Sequence, residues 1–170
     1  RTYPVSGRFS PEQKAIYELV LEAQQAAFAA IGPDKHWNQA HEATVQVITR
    51  GLVRLGLLKG EVDELIARDA HRAVYMHRAG HWLGLDVHDV GEYKVGGEWR
   101  VLEPGMTLTV GPGIYIAPGN LRVATKWRGI GVRIEDDVVV TKKGCEILTG
   151  AVPKSVAEIE ALMAAARAGA

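Results

Sequence analysis

The sequence predicts an α+β domain in which helices come first and form an outer layer, and short strands joined by turns follow. Two observations predict it. Apolar residues recur at helical spacing as far as Ile66, whereas from Met76 onward short apolar runs are broken by Gly and Pro, which is how strands joined by turns read. A third observation sets the domain count. The chain has 170 residues, 47% hydrophobic and 24% charged, which suits one domain spanning 1–170.

The elements follow in order. Ser10-Pro11-Glu12-Gln13 joins an N-cap, a proline at the first helical position and a glutamine able to reach back, and Ile16, Leu19, Val20, Ala23 and Ala27 follow on one face. That helix is expected to end near Gly32-Pro33. A second starts near Asn38 and carries Val45, Val47, Ile48, Leu52 and Leu55 toward Gly56, and a short third follows Gly60 with Val62, Leu65 and Ile66. The strand candidates are Val101 to Val110, Gly113 to Ile116 and Gly129 to Thr141. Along the last of these, period-two alternation puts Arg133 and Glu135 on one face and Val132 and Ile134 on the other, so a charged pair on one sheet face is predicted. Ser155-Val156-Ala157-Glu158 is a capping box leading a final helix through Ile159, Leu162 and Met163 to the alanine-rich end. No internal repeat, low-complexity tract or linker is seen.

Charge and composition exclude some partners. Twenty basic side chains balance twenty acidic ones, which leaves no electrostatic footprint for nucleic acid or an anionic membrane. No apolar run reaches the length of a membrane span, and Arg1 to Ser10 has no hydrophobic signal core. The single Cys145 excludes an internal disulfide and suits a cytoplasmic protein, with the residue itself read as a small core side chain.

The chemistry concentrates between Met76 and Gly91. Three of the six histidines, His77, His81 and His88, lie there with Asp86, Asp89 and Trp82. Imidazoles and carboxylates in an apolar segment must each be solvated, paired or shared with a metal ion or substrate, so the stretch reads as an active-site segment. His77 and His81 are spaced for one helix face, but Gly80 and Gly84 favour a loop or strand, and H-x-x-x-H alone leaves open a chelate or two hydrogen-bonded loop histidines. His88 and Asp89 add to it, because imidazoles beside a carboxylate are the parts of a site that binds a divalent ion and moves protons.

Three motifs then carry a resemblance. His77 to Gly91, Leu102 to Ile116 and Gly129 to Asp137, with R-T-Y-P-V-S-G-R-F-S at the start and Glu158 to Met163 at the end, closely resemble the catalytic domain of the Xaa-Pro aminopeptidase (aminopeptidase P) family. With prolidase, methionine aminopeptidase and creatinase, that family has the pita-bread fold, two α/β halves around a dinuclear metal centre, commonly manganese in this branch. The resemblance implies that His81 and Glu135 are metal ligands, and that His77 and His88 contact substrate and the tetrahedral intermediate. Arg133 matches an arginine beside the metal-binding glutamate.

The match also has departures. The family's two upstream ligand aspartates, the second in a D-I-T-R-T segment followed by an aromatic and proline, fall before Arg1, and Gly111 stands where the family's T-V-E-P-G motif has glutamate. Of the family's five ligands, His81 and Glu135 are present. The resemblance implies a truncated pita-bread fold without its N-terminal strands, a mostly antiparallel curved sheet with helices packed on its outer face, holding one weak divalent metal site (Mn or Zn) or none, with zinc favoured over manganese. Asp86 or Asp89 as a replacement ligand is weighed against roles as turn residues, and the latter is preferred. An uncovered strand edge is expected to drive homo-oligomer formation. The function expected is a metal-dependent exopeptidase releasing the N-terminal residue that precedes proline, with its activity impaired by the missing ligand carboxylates. The alternatives are a remodelled hydrolase such as an esterase, acting on a small ester in place of a peptide, and a non-catalytic binding or assembly module. For Trp82 a prolyl pocket and a packed position under the sheet stay open, as do a site and a core or surface position for Tyr115. His36, His41 and His71 are expected to be surface or capping residues, and Lys142 and Lys143 a solvated turn.

Overall fold

The computed structural model describes residues 1–168. Helix α1 (Pro11–Ala29) starts from the Ser10 capping box, with Gln13 N donating to the Ser10 hydroxyl and Ser10 N donating to the Gln13 side chain. Its buried face, from Ile16 through Ala27, lies on α2 (Trp37–Arg54). The two helices approach closely at Gly51, where a Cβ would run into the Leu19 side chain. Helix α3 (Val62–Ala67) and a 3₁₀ turn (Ala70–Ala73) complete the first half of the chain. No helix of the described residues is long and apolar enough to cross a membrane.

The second half makes three small antiparallel sheets. β1 (Lys94–Val95) and β2 (Glu98–Trp99) form a hairpin over Gly96 and Gly97, both at positive φ. β3 (Thr107–Val110), β6 (Asp136–Thr141) and β7 (Gly144–Ile147) form a three-stranded sheet in the order β3-β6-β7, and β4 (Gly113–Tyr115) pairs with β5 (Gly131–Arg133). The β3/β6 and β4/β5 ladders share one register, with Val110 opposite Asp136 and Gly113 opposite Arg133. Gly111 therefore stands opposite Glu135, and Pro112 opposite Ile134, in a gap between the ladders. The proline causes that gap. Ile134 N donates to Pro112 O at 3.3 Å, but Pro112 has no N–H to return, so the paired bond of a regular ladder is missing.

The strand expectations are met in part. Within Val101 to Val110 the strand begins at Thr107, because Glu103-Pro104-Gly105 makes a turn with Gly105 at φ 94° and Val101 forms an isolated bridge to His36. Gly129 to Thr141 is split at Ile134 and Glu135, although burial still alternates from Val132 to Thr141 without a slip. β7 and the β1–β2 hairpin were not anticipated. The final helix α4 (Val156–Ala168) has its expected cap, with Glu158 N donating to the Ser155 hydroxyl and Ser155 N to Glu158. Gly169 and Ala170, the end of the alanine-rich tail, lie outside the described residues.

Alternation has one demanding consequence. Asp136 falls on the apolar face and is 1% exposed. Its carboxylate accepts from Arg1 Nη2 at 2.6 Å, from the Thr149 hydroxyl at 2.7 Å and from Lys154 Nζ at 2.8 Å. Burial alone would raise its pKa, but the donors from Lys154, Thr149 and Arg1 outweigh burial and hold it below the ordinary carboxylate value. Removing one partner from a buried charged cluster leaves the other charges uncompensated, at roughly 3 kcal/mol. Asp136→Asn is expected to lose about that much stability in urea denaturation at neutral pH.

Candidate active site

The histidine segment is set by the sheet. Residues 79–83 run antiparallel along β3: Gly111 N donates to Ala79 O at 2.6 Å, Thr109 N to His81 O at 2.9 Å and Leu83 N to Thr107 O at 3.2 Å. The segment is thus extended, and His77 and His81 do not share a helix face. Gly80 permits this approach, since a Cβ there would collide with the Thr109 carbonyl. His81 N also donates to the Thr109 hydroxyl at 3.2 Å, and its Nδ1 lies 2.9 Å from Trp82 O. Nδ1 therefore carries the proton and Nε2 is left as an acceptor. The His88 ring, on an exposed loop, lies 4.3 Å from the His81 ring. Trp82 is buried against Trp37, with ring centroids 4.1 Å apart, and stacks with Tyr93, so packing accounts for it.

His77 is held differently. Its Nδ1 lies 2.8 Å from Arg78 O and its Nε2 2.8 Å from the Tyr115 hydroxyl, which makes Nδ1–H the donor and Tyr115 O–H a donor to Nε2. Burial pushes the His77 pKa below its ordinary value, against the opposing Arg78 backbone contact. Burial likewise raises that of Tyr115, with the Arg133 charge working against it. Tyr115 is thus in hydrogen-bond contact with His77, a contact the sequence left open. Behind His77 the Tyr75 ring meets it edge-on at 5.1 Å, and the Tyr75 hydroxyl lies 3.2 Å from Thr44 Oγ1 and 3.4 Å from His41 Nδ1. Burial raises Tyr75 to about 12.

Two outlying histidines depart from expectation. His71 is 5% exposed, with Nδ1 lacking a partner among the described residues, and His41 is lowered to about 4 by burial and then by the Arg78 charge. Both flank Tyr75, a packing role that helix periodicity cannot reveal. His36 does lie at the N-terminus of α2, with Nδ1 2.8 Å from Trp99 O.

The carboxylate side of the site lies at the gap between the ladders. Glu135 Oε2 accepts from Arg133 Nε at 2.9 Å and from Nη2 at 2.5 Å, the same-face charged pair that alternation predicts. Gly111, opposite, is what allows this placement. A Cβ there would stand 2.7 Å from Glu135 Cδ and 2.9 Å from Cγ, so the Glu135 side chain occupies the space that a side chain at 111 would take. The backbone around Glu135 is held from several sides. The Thr2 hydroxyl donates to Arg133 O at 2.8 Å and accepts from Arg133 N at 3.0 Å, and Arg1 Nη1 donates to Glu135 O.

The sequence profile of metallopeptidase family M24 matches residues 1–142 of the chain. The chain belongs to metallopeptidase family M24. Among curated relatives, it is 52% identical to the Xaa-Pro aminopeptidase of Escherichia coli K12 over 167 residues, covering 98% of the chain and 37% of that protein. It is 41% identical to the human Xaa-Pro dipeptidase over 193 residues, covering 96% and 38%. Among solved structures, Pseudomonas aeruginosa aminopeptidase PepP superposes with a TM-score of 0.97 at 78% identity, covering 99% of the chain and 38% of that structure. A zinc-substituted E. coli aminopeptidase P in complex with product superposes at 0.93 with 52% identity, covering 98% and 38%. This M24 chain has the α+β architecture of the pita-bread fold, and it spans about 37% of the length of the E. coli relative.

M24 membership implies a divalent metal, so the donors present are decisive. His81 offers an open Nε2, and Glu135 offers the carboxylate oxygen that Arg133 does not hold. No group of three His, Cys, Asp or Glu among the described residues converges to hold a cation. The described residues of this M24 chain therefore do not form a metal cage by themselves. Asp86 and Asp89 do not fill the deficit: Asp86 is exposed, and Asp89 accepts from Val90 N at 2.9 Å in a turn packed against Gly84. Gln24 and Asp136, which brace the carboxylate side, escaped the sequence reading because each is a lone polar residue on an apolar face.

The depressed His41 has a measurable effect. Its folded pKa of about 4 lies below the ordinary 6.5, so between those values the unfolded chain binds more protons. Its contribution is complete above pH 6.5 and falls as pH drops toward 4. Linkage puts the difference in stability between pH 7 and pH 5 at about 2 kcal/mol. Urea unfolding of His41→Gln at the two pH values is expected to show a loss smaller by about that amount.

Proposed function

We propose that the complete protein is a metal-dependent exopeptidase of the Xaa-Pro aminopeptidase type, and that this chain supplies His81 and Glu135 as donors to a divalent cation, manganese or zinc. His77, His88 and Arg133 are assigned to the substrate side. The observation that carries the reading is convergence on the stretch formed by β3 and the Gly111 that follows it. Through Thr109 and Gly111 it holds the histidine segment, and across the ladder gap it faces Glu135. Likeness to Xaa-Pro aminopeptidases and to an Xaa-Pro dipeptidase supports a peptide with proline after the scissile bond as substrate.

His81 and Glu135 would hold the cation, which when bound would supply Lewis-acid polarisation of the scissile carbonyl and a lowered pKa for water. The side chains divide the remaining work. His77, kept neutral by burial, presents Nε2 to the Tyr115 hydroxyl and can take or return a proton there. His88 stands on an exposed loop beside His81, where it can follow a substrate. Arg133 fixes one oxygen of Glu135 by two hydrogen bonds.

Gly111 weakens this centre. It removes a carboxylate at the family's glutamate position and lets Glu135 fold into the vacated space against Arg133. A cation must then compete with a two-pronged guanidinium for Glu135, and has one anionic oxygen donor fewer. We therefore infer that activity is impaired relative to chains with glutamate at 111. Titration of the complete protein with Mn²⁺ is expected to give binding on the order of tenfold tighter or better for Gly111→Glu than for the parent, and that binding should vanish on adding His81→Ala. Xaa-Pro peptide cleavage should rise with it. No Mn²⁺ binding in Gly111→Glu, or binding indifferent to His81→Ala, would refute the assignment.

A further inference from the structure

The proline that interrupts the ladder leaves the Ile134 carbonyl without its cross-strand donor, and a helix side chain supplies the replacement. Gln24, on the inner face of α1 and 0% exposed, donates from Nε2 to Ile134 O at 3.1 Å and to Val110 O at 3.0 Å. Both amide hydrogens are thereby used. Its Oε1 has no partner among the described residues, an arrangement that an apolar side chain would avoid if filling space were all that was needed.

The two carbonyls are those of the residues immediately before Gly111 and Glu135. Peptide planarity makes this matter. The plane joining Val110 to Gly111 is held at its carbonyl by Gln24 and at its N–H by Ala79 O, so its tilt is fixed from both ends. The plane joining Ile134 to Glu135 is held at its carbonyl by the same amide. We propose that Gln24 is a positioning residue that sets the separation and tilt of the two strand segments carrying position 111 and Glu135. Geometry at the site is then referred to helix α1 as well as to the neighbouring strand. The importance of this for cation binding rests on the reading of Glu135 given above.

Hydrogen exchange of the complete protein tests the clamp directly, without metal. Gln24→Met keeps roughly the side-chain length and removes both donors, while Val20→Ala, at another buried position of α1, controls for general loss of packing. Exchange over residues 107–116 and 131–136 is expected to accelerate at least tenfold in Gln24→Met, with α2 unchanged, and to show no such localisation in Val20→Ala. If Gln24→Met does not fold, Gln24→Glu, isosteric and with at most one donor, should show the same localised change. Acceleration no greater in these two segments than elsewhere would overturn the clamp.

A second readout separates positioning from support. In the Gly111→Glu background, Gln24→Met is expected to weaken Mn²⁺ binding about tenfold, whereas Val20→Ala leaves it within about twofold. Localised exchange with unchanged Mn²⁺ affinity would overturn the positioning role. Absence of Mn²⁺ binding in Gly111→Glu itself would count against the cation site, and exchange would still decide the clamp.

Discussion

The missing N–H of Pro112 is the constraint around which this structure is arranged. A buried carbonyl without a donor is expensive, and the proline creates that situation in the middle of an otherwise continuous antiparallel pair. The chain answers with side chains drawn from distant parts of the sequence. Gln24 serves Ile134 O, the Thr2 hydroxyl bridges both backbone groups of Arg133, and Arg1 reaches Glu135 O and the Asp136 carboxylate. Four successive residues, from Arg133 to Asp136, are thus anchored by groups outside the ladder. Such a segment has its side-chain directions fixed where a regular strand would leave them to the pleat.

That rigidity gives Gly111 its effect. Opposed residues in a non-hydrogen-bonded antiparallel pair bring their Cα atoms to about 4.5 Å, so position 111 and Glu135 compete for one volume. With no Cβ at 111, Glu135 turns into the space and Arg133 closes on it. The ion pair itself contributes little to stability, because its side chains remain 42% and 32% exposed and solvent screens such pairs. Its consequence is orientational. The guanidinium holds one carboxylate oxygen in a fixed direction, and a cation approaching Glu135 must use the other oxygen or displace the arginine.

Much of this was legible in residue patterns. The Ser10 and Ser155 caps appear where local spacing places them, because a capping box is made within four residues. Arg133 and Glu135 share a face because parity survives the ladder gap, the backbone staying extended while its hydrogen-bonding partner changes. What was not legible depends on contacts distant in sequence. The split at Ile134 is caused by Pro112, which becomes its neighbour only when the strands pair. Gln24 looks like any polar residue in a helix until two carbonyls arrive more than eighty positions later. His41 and His71 read as surface residues because Tyr75, which gathers them, lies on another element.

The crowded histidine segment resolves into three mechanical environments, and this bears on what each residue can do. His81 is fixed by the sheet: its backbone is bonded to Thr109 on both sides, and its Nδ1–H is spent on Trp82 O. Such a ring can present Nε2 in one direction and little else, which suits a ligand. His77 is fixed by side chains, between the Arg78 carbonyl and the Tyr115 hydroxyl, so its protonation is coupled to a group that can turn. His88 stands on an exposed loop and is the least constrained of the three. A single helix could not impose these three conditions on three histidines at once, since every residue on it shares one axis and one rigidity. An extended segment leaving the sheet edge for a loop does so, grading its histidines from fixed to free within twelve residues.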